Sequence, residues 1–129
     1  MESQTDEERK QQQFISSIMT AAEKWPQNLT DKYSLDELVT GIQYADYKLM
    51  DRKAKYDSLL AREKEQDRRS SEYSYIQELK KLTARELNTY FGIAENFETA
   101  LRKFDYVYGY ETNMPEVSAI IWEHKKKEL

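Results

Sequence analysis

At 129 residues the chain has the length of one domain, and its 34% charged residues net only −4, the mixed charge of helices with one solvated face. That balance argues against a generic polyanion binder, which carries a basic excess. The absence of cysteine excludes disulfides, thiolate metal sites and cysteine nucleophiles.

Glycine occurs three times and proline twice, and neither interrupts the stretch from Ile42 to Phe91, so long helices are predicted. Residues 1–12 read as a flexible acidic and polar arm, and 13–129 as a single helical domain. The first helix carries Phe14, Ile15, Ile18, Met19 and Ala22 on one face and ends near Trp25, because Pro26 stops it. Ser34 and Glu37 form a capping box that opens the second helix. Its stripe runs Leu35, Leu38, Ile42, Ala45, Leu49, Arg52, Tyr56, Leu59, in alternating steps of three and four, the spacing of a coiled-coil seam. Val39 and Leu60 widen the stripe, and Arg52 is its one charged member. A helix from Leu35 to about Gln66 would be roughly 48 Å long and needs a partner. Where a return helix leaves the seam uncovered, a homo-oligomer through Leu35, Leu38, Ile42, Leu49, Tyr56 and Leu59 is expected.

From Glu63 to Ser71 the apolar pattern stops. The segment is either a hairpin turn, with Ser70 or Ser71 capping the next helix, or a solvated stretch of one continuous helix. The stripe resumes out of phase at Tyr73, Ile76, Leu79 and Leu82, which favours the turn. Thr83 and Glu86 form a second capping box, predicting a short helix with Leu87, Tyr90 and Phe91 that Gly92 interrupts. A further helix then carries Phe97, Leu101, Phe104 and Tyr108, with Gly109 as its stop. Phe104, Tyr106, Tyr108 and Tyr110 also alternate, so a short strand competes there. Pro115 suits the first turn of a last helix bearing Val117, Ile120, Ile121 and His124. The fold class is therefore all-α: four to five helices around a long central helical hairpin of coiled-coil character, with short C-terminal strands as a variant.

Nothing along this scaffold gathers reactive groups. His124 is the only histidine and lies in a Glu-His-Lys-Lys-Lys run that reads as a solvated helix end. Carboxylate pairs such as Asp36–Glu37 and Glu95–Glu98 are what charged helices carry by chance. There is no phosphate-cradling glycine loop, nucleophile motif or HExxH. No catalytic residue, metal ligand or cofactor is expected, and the chain does not read as an enzyme. Nor is a membrane expected, since no apolar run approaches the ~18 residues that cross a bilayer. Met1–Gln13 lacks the basic start and apolar stretch of a secretory signal, so a cytoplasmic, nuclear or nucleoid location is expected.

The stretch 82–104 has a Thr83 cap, an inner face of Leu87 and Phe91, a glycine at Gly92, then Ile93, Phe97 and Leu101 facing back. This arrangement resembles the helix-turn-helix of DNA-binding proteins, over about twenty residues of the chain. The resemblance implies a DNA partner, with Asn96 reading adenine and Arg102 and Lys103 touching the backbone. Glu95 and Glu98 depart from the pattern, since acids there would face phosphates.

Ten tyrosines offer a different surface, because each presents a rigid apolar body with a polar tip. Tyr106, Tyr108 and Tyr110 form the best candidate contact cluster. Lys48 to Arg69 leans basic, which reads as a solvated face or as an electrostatic footprint for nucleic acid or an acidic protein surface, with Arg68 and Arg69 at its end. The leading reading is a non-enzymatic protein–protein interaction module, such as an adaptor, assembly factor or inhibitor of another protein. The alternative is a DNA-binding regulator using 82–104.

Overall fold

A computed structural model describes residues 5–109 and 114–128, and among them every regular element is a helix. Helix α1 is Asp6–Lys24, and it starts well ahead of the first apolar residue on its face. Thr5 caps it by accepting from the Glu8 N–H at 3.2 Å, and Asp6, Glu7 and Glu8 fill the first turn, where negative charge suits the helix dipole. Caps and charge thus set this start. At the other end the Trp25 N–H reaches the Ala21 carbonyl at 2.8 Å. Pro26, with no N–H to donate, then opens a 3-10 turn, Pro26–Asn28, followed by α2, Leu29–Lys32.

Helix α3 is Leu35–Lys64. Its capping box is formed as predicted: the Ser34 N–H donates to Glu37 Oε1 at 2.9 Å, and the Glu37 N–H to Ser34 Oγ at 3.2 Å. A turn then reverses the chain. Ser70 Oγ accepts from the Tyr73 N–H at 3.1 Å and caps α4, Ser71–Arg102. Helices α3 and α4 pack against each other, the hairpin that the phase break implied. Helix α5, Met114–Lys127, carries Pro115 in its first turn. No helix of the described residues is long and apolar enough to cross a membrane.

Two breaks predicted in the third quarter of the chain are corrected. Helix α4 runs uninterrupted through Thr83 and Gly92. Thr83 is fully buried and its hydroxyl donates backwards to the Leu79 carbonyl at 2.8 Å, a mid-helix bond rather than a cap. Gly92 has no positive φ. The stop comes at Asp105, which takes φ 57°. There the Tyr106 N–H bonds the Leu101 carbonyl at 3.1 Å and the Asp105 N–H bonds the Arg102 carbonyl at 3.0 Å, the two bonds of a Schellman ending. The C-terminal strands are corrected as well. Residues 106–109 have no regular structure, while Tyr110 falls outside the described residues.

The chain divides into two compact units, and α3 and α4 contribute to both. In the first, comprising residues through Ala45 with Gly92–Gly109, α1 contributes Ile18 and Ala22, α3 contributes Leu38 and Ile42, and α4 contributes Phe97 and Leu101, all fully buried. Gly41 lets α3 approach the Phe97 ring. The Asn96 side-chain amide donates to the Ala22 carbonyl at 2.8 Å, tying the end of α1 to α4. The second unit takes α3 from Asp46, α4 to Phe91, and α5. Its core includes Leu49, Ile76, Leu87 and Val117, with ion pairs Arg52–Glu86 at 2.8 Å, Lys53–Glu116 at 2.8 Å and Lys80–Glu63 at 2.6 Å at its margins.

The stripe on α3 is covered by the chain itself. Leu38, Ile42 and Leu49 are 0% exposed, Tyr56 5% and Leu59 3%, and Leu35 is half-buried. The condition for a homo-oligomer through Leu35, Leu38, Ile42, Leu49, Tyr56 and Leu59, a seam left uncovered by the return helix, is not met, because the chain itself buries most of it. Arg52 is accommodated at the edge of the stripe by Glu86 and Asp51.

Candidate functional site

The residues singled out from the sequence do not assemble into one site. Tyr106 stands exposed after the end of α4, with Phe104 and Val107 also exposed and Tyr108 half-buried, all in the first unit. Arg68 and Arg69 are exposed in the α3–α4 turn, in the second unit, with no ion partner among the described residues. The helix-turn-helix reading loses its geometry, since 82–104 has no turn at Gly92. Its proposed readers are engaged elsewhere: Asn96 holds the Ala22 carbonyl, and Arg102 lies against Glu98 at 3.4 Å. Lys103 is exposed.

His124 is not the solvated end that its lysine-rich neighbourhood suggested. It is half-buried, with Nε2 2.9 Å from the Tyr56 hydroxyl and the two rings edge to face at 5.7 Å. Burial, helped by Lys127 and Lys80, holds its pKa below the usual 6.5 and favours the neutral ring beside the Tyr56 hydroxyl. Burial in turn raises the Tyr56 hydroxyl above its usual 10.0. Lys80 lies 5.8 Å over the Tyr56 ring and pairs with Glu63, and bonds from Lys80 and Gln77 lower the Glu63 carboxyl. These polar groups satisfy one another and tie α5 to α3. Among the described residues no group of three His, Asp or Glu side chains is placed to hold a metal ion.

A concave feature lies in the first unit, where the sequence offered only a helix stop. Ala21, Trp25, Asn28, Leu29, Lys32 and Tyr33 line a cleft of about 230 Å³. The local chain builds it. Pro26 and the 3-10 turn swing the backbone away from α1 and leave Trp25 at the corner, 51% exposed. One helical turn on, Leu29 is 1% exposed and forms the floor. The Tyr33 N–H closes α2 on the Leu29 carbonyl at 3.0 Å, and the Tyr33 ring rests edge-on against Phe14 at 6.3 Å. One aromatic wall is thus fixed before anything binds. Lys32 is the one charged residue in the lining. Trp followed by Pro, with Tyr33 eight residues on, was the only signal in the sequence, and it became legible once the 3-10 turn was known. In the second unit, Tyr75, Leu82 and Trp122 stand exposed on helix surfaces.

No protein-family model, curated protein or solved structure matches the chain.

Proposed function

We propose that the chain is a non-enzymatic protein–protein interaction module, an adaptor, assembly factor or inhibitor, that receives a side chain of its partner in the Trp25–Tyr33 cleft. The observation that carries this reading is a half-exposed tryptophan beside a buried leucine floor and a braced tyrosine. Tryptophan and tyrosine in a desolvating pocket dominate binding energy at protein interfaces, because they present large rigid area at little entropic cost. Phe104, Tyr106 and Val107 add exposed apolar area to the same unit. A cysteine-free chain with no membrane-spanning helix among its described residues suits a cytoplasmic setting.

The test is capture of partners by the tagged full chain, with and without nuclease, compared with Trp25→Ala. Partners that survive nuclease and are lost with Trp25→Ala support the reading. Capture that nuclease abolishes, or that Trp25→Ala leaves unchanged, overturns it. Trp25→Phe keeps an aromatic wall and should retain most binding, which separates loss of the cleft from loss of the fold.

A further inference from the structure

We infer that the cleft takes an acidic segment of a partner protein, seating one bulky apolar side chain between Trp25 and Tyr33 and pairing a neighbouring carboxylate with Lys32. This inference rests on the interaction-module reading above and names the chemistry of its partner.

Size suits a single side chain better than a drug-sized ligand or cofactor. Small-molecule sites span about 300–1,000 Å³, and this cleft, at about 230 Å³, has room for a single large side chain. The lining sorts that side chain's neighbours. Leu29, Ala21 and the two aromatic rings give an apolar interior, and Asn28 and Lys32 supply its polar groups. The charge in the lining is positive, with no acid among the six residues to neutralise it. Lys32 has no ion pair among the described residues, so its ammonium is available to a ligand. Exposed aromatic faces would otherwise attract cations, but an ammonium already in the lining repels them and favours a carboxylate. The end of α1 does not reverse this preference. Two of its terminal carbonyls, those of Ala21 and Ala22, are already bonded by the Trp25 N–H and the Asn96 amide.

The two tryptophans make the test internally controlled. In the ¹⁵N-labelled full chain, the indole N–H signals of Trp25 and Trp122 are followed while acetyl-Glu-Asp-Leu-Phe-Glu-Asp-amide is added. The Trp25 signal should shift saturably, while Trp122, 64% exposed on α5, stays in place. Lys32→Glu, at an exposed position, should weaken binding about five- to tenfold, and added salt should weaken the unmutated chain. Three outcomes overturn the inference: the lysine counterpart of the peptide binds as well, the counterpart with alanine for Leu-Phe binds as well, or a small aromatic such as indole binds where the peptide does not. If partner capture depends on Trp25 but the acidic peptide leaves its indole signal unmoved, the module reading stands and this inference falls. If capture ignores Trp25, the module reading itself falls.

Discussion

A methyl group built on Gly41 would sit 2.5 Å from Cζ of Phe97 and 2.6 Å from its Cε1. Phe97 is fully buried and cannot swing aside. Replacing a helical glycine by alanine ordinarily gains about 1 kcal/mol, whereas overpacking a core costs about 1–3 kcal/mol. The clash should win, and Gly41→Ala should lower the unfolding free energy read from urea denaturation by a net of up to about 2 kcal/mol. Adding Phe97→Leu to that variant should restore part of the loss. Gly92 is the opposite case. It is helical, and nothing lies within 4 Å of its missing Cβ. Gly92→Ala should therefore stabilise by up to about 1 kcal/mol. The sign of that change is diagnostic, because a turn glycine with positive φ, as a helix-turn-helix would need, loses stability when alanine replaces it. Sequence alone ranked these glycines the wrong way round. It took Gly92 for punctuation and passed over Gly41, whose purpose is a close approach by a residue 56 positions away.

Helix ends written in local chemistry were readable, and those set by tertiary packing were not. Ser34 with Glu37, Pro26, and Ser70 act through residues within four positions of themselves, so their signals survive without a structure. Thr83 carries the same capping signature, but burial against the rest of the chain keeps it mid-helix. The end of α4 was misplaced to Gly109 because an aspartate occupies the left-handed position. Asp105 pays for this φ of 57° twice, in strain and in placing an anion at the negative end of a helix dipole. Asp105→Gly should raise stability by about 0.5–1 kcal/mol, and Asp105→Ala, which keeps the strain, should bring no such gain. Chemical denaturation of the three proteins side by side checks this. The docking of α5 belongs to the same scale. Because the folded His124 has a pKa below 6.5, the unfolded chain takes up the proton first. Its contribution is complete above pH 6.5 and falls as the pH drops below that value. Protonation would also place a positive charge near the ammoniums of Lys80 and Lys127, with Glu123 and Glu128 partly compensating. Glu63 titrates in a separate window. Its folded pKa is lowered, so its contribution is full above 4.5 and is lost as pH falls through the folded value beneath that. Urea midpoints measured from about pH 7 to about pH 5 should therefore decline, and His124→Gln should flatten that decline while leaving the Glu63 loss at lower pH.

For the molecule as a whole, the hairpin was legible because 25 residues of apolar periodicity on α3, Leu35 to Leu59, outweigh any one misread signal. The cleft was not legible, since it depends on how a proline corner aims Trp25 and on which ring Phe14 braces. What covers the seam stayed open for a related reason: periodicity reports that a stripe will be buried and is silent on what buries it. Both units draw on α3 and α4, which cross from one unit to the other without a break at Ala45–Asp46 and at Phe91–Gly92. Melting one unit alone would open both helices in mid-course and create new frayed ends, each with four unsatisfied backbone groups. A single cooperative transition is therefore expected, although the chain separates into two clusters of contacts. Each unit holds one tryptophan, Trp25 in the first and Trp122 in the second, so each can be watched separately. Trp122→Phe leaves fluorescence from the first unit, and Trp25→Phe leaves it from the second. Normalised urea curves from the two variants should share one midpoint and one slope after correction for the small stability change of each substitution, measured by far-UV circular dichroism on the same samples. A fluorescence midpoint that departs from the circular dichroism midpoint of its own variant would mean that the units melt independently, with α3 and α4 fraying at the boundary between them.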